Sequence, residues 1–119
     1  MIILALDQSS RTSGYAIFED YKLITYGKFT FEDSDIGIRL NKIRDTVDNL
    51  IDNYSVDYVI FEDIQLQNNV GNNVATFKVL AEVFVVIYEL LTERQIPNES
   101  VLSTVWKSTL HIKGKTRPE

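Results

Sequence analysis

Residues 1–6 read Met-Ile-Ile-Leu-Ala-Leu with no polar break, and Asp7 closes the run. A strand that is apolar at every position gains nothing from a solvated face, so it suits the middle of a sheet covered on both sides. The pattern recurs at Val56-Asp57-Tyr58-Val59-Ile60-Phe61-Glu62, a second apolar run that also ends in a carboxylate. Between the two lie polar turn residues 8–13, a strand at Gly14–Phe18, and a further strand at Lys22–Phe31. Connections this short predict an antiparallel meander of three strands. Ile36, Leu40, Ile43, Val47, Leu50, Ile51 and Tyr54 then recur at spacings of three and four, which predicts a helix over 35–53 capped by Asp33 or Ser34. A strand, a crossover helix and a strand imply parallel pairing with a right-handed connection.

Beyond Glu62 the chain runs through an Asn-rich polar stretch, 63–73, into a second helix over 74–92. Within 74–91 only Thr76, Lys78, Glu82 and Glu89 are polar. Such a helix is either the most central of the domain or covers the sheet with one side and a second copy of the chain with another. The small size of the chain favours the second, a homodimer through Val79, Val83 and Val86. Val101-Leu102 is expected in a short fifth strand, and Val105-Trp106-Lys107 in a turn of helix. At 119 residues the chain forms one domain, 1–119, able to bury roughly 65% of its unfolded surface in a single core.

Composition narrows the chemistry. There is no cysteine and one histidine, so disulfides, thiolate nucleophiles and Cys- or His-based metal clusters are excluded. No apolar stretch approaches the 18 or so residues of a membrane span, and no basic region precedes the first hydrophobic run, so a cytoplasmic protein without membrane contact is expected. The net charge is −5, but it is unevenly spread. Residues 1–100 carry 8 Lys/Arg against 16 Asp/Glu, whereas 101–119 carry Lys107, Lys113, Lys115 and Arg117 against Glu119 alone. An acidic body with a basic end accepts a polyanion at one edge only.

Asp7 and Glu62 carry the functional signal. If their strands are adjacent and parallel, both emerge at the carboxyl edge of the sheet, where ligands bind in such folds. They either merely end their strands or converge on a cation, and a carboxylate closing a wholly apolar strand is costly without a partner. Hard oxygen donors with open positions suit Mg²⁺ or Mn²⁺. The turn Gln8-Ser9-Ser10-Arg11-Thr12-Ser13-Gly14 adds small hydroxyl residues that leave room for a phosphate.

Asp7-Gln8-Ser9-Ser10 through Gly14, Glu62-Asp63-Ile64 after an apolar strand, and Trp106-Lys107 before a basic loop resemble the RuvC family of Holliday junction resolvases, in its small phage or prophage form. The resemblance implies an α/β, ribonuclease H-like five-stranded mixed sheet, first three strands antiparallel and then parallel, flanked by helices. It implies a dimer that binds a four-way DNA junction and nicks two strands by metal-dependent hydrolysis. It makes Asp7 and Glu62 both catalytic and metal-binding, with Ser9, Ser10, Arg11, Lys107, Lys113, Lys115 and Arg117 on DNA. Two departures stand out. The position after the second acid, where the family commonly has an aromatic wedge, reads Ile64-Gln65-Leu66-Gln67. The family's last two acids belong to a C-terminal helix, whereas this sequence stops at Thr116-Arg117-Pro118-Glu119, a capping box. An inactive, truncated form is therefore expected. Two other readings compete: a non-catalytic DNA-binding or assembly module of this fold, and an actin-like nucleotide-binding domain, which shares the Asp7–Gly14 turn.

Overall fold

The computed structural model describes residues 1–64 and 74–102. Five strands form one sheet in the order β3-β2-β1-β4-β5. They are β1 (Ile2–Asp7), β2 (Thr12–Glu19), β3 (Lys22–Thr30), β4 (Tyr58–Glu62) and β5 (Asn98–Val101), with helices α1 (Ile36–Tyr54) and α2 (Val74–Glu93) preceding β4 and β5. β1 to β3 form the antiparallel meander, with Leu4 opposite Ile17 and Ala16 opposite Tyr26. β1–β4 and β4–β5 are parallel. The all-apolar β1 thus lies in the middle of the sheet. Leu4, Ala5 and Leu6 are fully buried, while Ile2 and Ile3 at its start are half-buried.

The core lies on one face of the sheet. Leu4 and Leu6, Ile17, Val59 and Phe61 pack with Ile43, Val47, Leu50 and Ile51 of α1 and Val83, Ile87, Leu90 and Leu91 of α2. Because side chains alternate along a strand, Ala5 and Asp7 of β1 and Ile60 and Glu62 of β4 point to the opposite face. Ion pairs lock the helices together: Arg94 holds Asp48 and Asp52 at 2.6 Å each, and Arg44 holds Glu89 and Glu93.

Three local expectations change. The cap of α1 is Asp35, whose carboxylate accepts the Gly37 N–H at 3.0 Å. Asp33 is unsuited to that role because its carboxylate pairs with Lys42 at 2.9 Å, and its carbonyl, like that of Ser34, is taken by Arg39. β5 comprises Asn98–Val101 rather than Val101-Leu102. It begins where the Pro97 carbonyl accepts the Val59 N–H, and its polar residues are tolerated at the edge of the sheet. Val83 is only 1% exposed within this chain's own core, so it is unavailable to a second subunit. The apolar surface of α2 lies elsewhere, at Val74, Phe77, Leu80, Val85 and Tyr88. Val79 is half-buried, and Val86 lines a groove with Leu40, Phe77, Ala81 and Val85.

Candidate active site

The register of β1 on β4 brings the two carboxylates together. Ile3 pairs with Tyr58, Leu4 with Val59 and Ala5 with Ile60, a constant offset of 55 that carries Asp7 alongside Glu62. Both side chains leave the face opposite the helices, on strands about 4.8 Å apart. Asp7 is exposed. Glu62 is half-buried, with its Oε2 shielded from solvent. Across β2, Asp7 pairs with Gly14, and a Cβ placed on Gly14 would lie 3.9 Å from the Asp7 Cβ. The absent side chain keeps the space beside Asp7 open.

The turn that follows Asp7 is held from three directions. The Gln8 side-chain amide donates to the Glu62 carbonyl at 2.7 Å and accepts the Glu62 N–H at 3.0 Å. The buried Ser13 hydroxyl accepts the Ser9 N–H and donates to the Ser9 carbonyl, both at 3.0 Å. Arg39 of α1, 6% exposed, donates Nε–H to the Ser10 carbonyl at 3.1 Å while its Nη1 reaches the Asp33 and Ser34 carbonyls at 2.5 and 3.3 Å. None of these roles was assigned from the sequence. Arg39 had a readable signal, since it occupies the same helical stripe as Ile43, Val47 and Leu50. A cation at such a position requires internal acceptors.

Of the expected DNA-binding residues, Ser9 and Ser10 are half-buried in this turn, and Arg11 is exposed, 3.8 Å from Glu32. Lys107, Lys113, Lys115 and Arg117 lie outside the described residues, as do Gln65 to Gln67. Two adjacent carboxylates fit one hard divalent ion that keeps most of its waters. Among the described residues there is no group of three or more metal-ligating side chains, so a pair of ions does not fit this set alone.

The family model described as crossover junction endodeoxyribonuclease RuvC matches residues 3–109, nearly the whole chain. The chain belongs to the RuvC family. A crossover junction endodeoxyribonuclease RuvC from Dictyoglomus thermophilum is 36% identical over 75 residues, covering 59% of this chain and 48% of that protein. The chain therefore spans about half the length of this curated relative. Among solved structures, Thermus thermophilus RuvC in complex with a Holliday junction substrate superposes with a TM-score of 0.73 at 12% identity, over 92% of this chain and 69% of that one. Thermus thermophilus RuvC gives 0.65 at 11% identity, over 85% and 63%. YeaZ from Pseudomonas aeruginosa gives 0.52 at 17%, over 85% and 43%. At these identities the structural matches establish the fold alone. That fold is the ribonuclease H-like mixed sheet expected from the motifs.

Proposed function

We propose that this RuvC-family chain is the fold core of a divalent-metal-dependent endonuclease that resolves four-way DNA junctions. The observation that carries the reading is the β1–β4 register, which aligns Asp7 with Glu62 at the carboxyl edge of a parallel strand pair. Asp7 and Glu62 hold Mg²⁺ or Mn²⁺ through their carboxylate oxygens. A divalent ion so held supplies Lewis-acid stabilisation of a phosphodiester and activation of water. The turn Ser9-Ser10-Arg11 lies next to these acids and contacts the DNA backbone, as do Lys107, Lys113, Lys115 and Arg117 of the basic segment. The space above Gly14 admits the phosphate beside Asp7. The protein acts in the cytoplasm as a homodimer, so that two sites nick two strands. Its interface is built on the exposed apolar side of α2 around Val85, with Val79 and Val86 at its margin.

A second reading is favoured by the described acids being a pair rather than a larger cluster: a DNA-binding or assembly module that binds junctions without cutting them. Both readings predict preferential retardation of a four-way junction over linear duplex of the same sequence, and equal affinity for the two refutes both. Incubation of labelled junctions with Mg²⁺ and then Mn²⁺ separates them, because symmetric nicking belongs to the nuclease alone. Asp7→Asn is expected to abolish nicking while leaving thermal stability unchanged or slightly raised, since one of two facing like charges is removed. A large loss of stability would instead make Asp7 a structural residue.

A further inference from the structure

We infer that Gln8 is a positioning residue that sets the spacing of the Asp7–Glu62 pair and, through it, the affinity of that pair for a divalent ion. The inference rests on the reading of those two carboxylates as ion ligands.

The geometry follows from the ends of the strands. In a parallel sheet, the N–H and C=O of one residue point toward the same neighbouring strand. Val59 and Asp63 donate their N–H groups toward β5, to the carbonyls of Pro97 and Val101. Glu62, one residue out of phase, therefore presents both backbone groups toward β1. By that point β1 has ended at Asp7, and the main chain turns away through Ser9 and Ser10. The Gln8 side chain takes the place of the missing peptide, donating at 2.7 Å and accepting at 3.0 Å. A primary amide carries a planar donor–acceptor pair suited to this, which an ionised carboxylate, an acceptor only, lacks.

The consequence falls on the acids. Asp7 is the residue before Gln8, and the two bonds end on the backbone of Glu62 itself. Gln8 thus ties one ligand's main chain to the other's at the point where the ladder gives out. The β1–β4 register pairs run to Ala5–Ile60, and beyond them the Gln8 amide bridges the two strands directly beside the acids. Two like charges without that restraint separate, and an ion held by both loses one of them. Partners that orient metal ligands are typically worth 10- to 100-fold in affinity.

The test is Mn²⁺ binding by the 119-residue chain without DNA, read from the free-ion electron paramagnetic resonance signal at a temperature well below the unfolding midpoint. Gln8→Met keeps the length of the side chain and removes both hydrogen bonds, and we expect an affinity about 10-fold weaker. Gln8→Asn, one methylene too short to span both groups, is expected to fall between it and the wild type, and it carries the test if Gln8→Met does not fold. Ile87→Val loosens the core on the far side of the sheet and is expected to leave the affinity unchanged, which separates positioning from general destabilisation. Mn²⁺ binding that is lost in Asp7→Asn but unchanged in both Gln8 variants overturns the role of Gln8 alone. No Mn²⁺ binding by the wild type, or binding that survives Asp7→Asn, overturns the reading of the pair and the role of Gln8 with it.

Discussion

Arg39 offers the sharpest test of how the turn beside Asp7 is built. Its guanidinium is buried, and its described hydrogen bonds all go to main-chain carbonyls: Ser10 in the β1–β2 turn, and Asp33 and Ser34 ahead of α1. Arg39→Met keeps the apolar stem against the core and deletes three hydrogen bonds at once. Each such bond from a charged donor is worth about 1.5 kcal/mol net, the low end for charged groups. Returning the guanidinium's desolvation cost offsets part of the sum. The expected loss is therefore about 2–3 kcal/mol, or roughly 8–12 °C in Tm for a domain of this size. The loss should be local as well as global. Amide exchange of Arg11, whose N–H is bonded to the Ser9 hydroxyl, should accelerate more than exchange in β4. Arg39→Lys should fall between the wild type and Arg39→Met, because a single ammonium cannot reach acceptors at two edges of the guanidinium at once. Thermal and urea unfolding followed by circular dichroism measure the first effect, and hydrogen exchange measures the second. A loss below about 0.5 kcal/mol for Arg39→Met would refute the reasoning, since the three bonds would then be no better than those to water.

Gly27 faces Tyr15 across the β2–β3 pair, and a Cβ there would lie 2.8 Å from the Tyr15 hydroxyl and 3.0 Å from Cζ. Gly27→Ala must therefore displace a ring that stacks on Phe29 at 6.4 Å, costing about 1 kcal/mol in urea unfolding despite the better strand propensity of alanine, and a stabilised variant would contradict the packing. Val85 is 57% exposed on α2, so Val85→Asp should leave the fold of each chain intact yet convert dimers to monomers in light scattering, whereas a wild type that is monomeric at high concentration would refute the interface. Tyr58 donates its hydroxyl to Glu99 at 2.6 Å, and this bond, helped by burial and the Glu99 charge, raises its pKa above the ordinary tyrosine value. A raised pKa means that the contribution is complete below pH about 10 and is lost as pH climbs through the folded-state value, so the stability difference between wild type and Tyr58→Phe should shrink only in that alkaline window. A difference that instead collapses at neutral pH would assign it to something other than this proton.

The parts of the fold legible in the sequence are those written in local periodicity. Apolar runs marked β1 and β4, three-and-four spacing marked α1, and the short polar connections marked the meander. The strand-final Asp7 and Glu62 were legible for the same reason, since each closes an uninterrupted apolar stretch, Ile2–Leu6 and Tyr58–Phe61. What periodicity cannot encode is a partner distant in sequence. β5 was misplaced because Asn98, Glu99 and Ser100 carry no apolar signature, and their strand character comes from β4. Val83 was indistinguishable from Val79 and Val86 in an all-apolar helix until the sheet chose which side to cover. Gln8 joins residues 54 positions apart, and nothing within its own turn announces that. Asp57 makes the matching contact at the other end of the same ladder, its carboxylate accepting the Ile2 N–H at 2.8 Å while its own N–H donates to the Ile2 carbonyl at 2.8 Å. Polar side chains thus bracket the β1–β4 pair at both ends, where main-chain pairing stops. Between those brackets the offset of 55 is uninterrupted, and a slip of one residue would turn Glu62 toward the helices and bury its charge in the core. The Glu62 charge that forbids the slip is the same charge that this register sets beside Asp7, so the register that stabilises the fold and the register that assembles the site are one constraint.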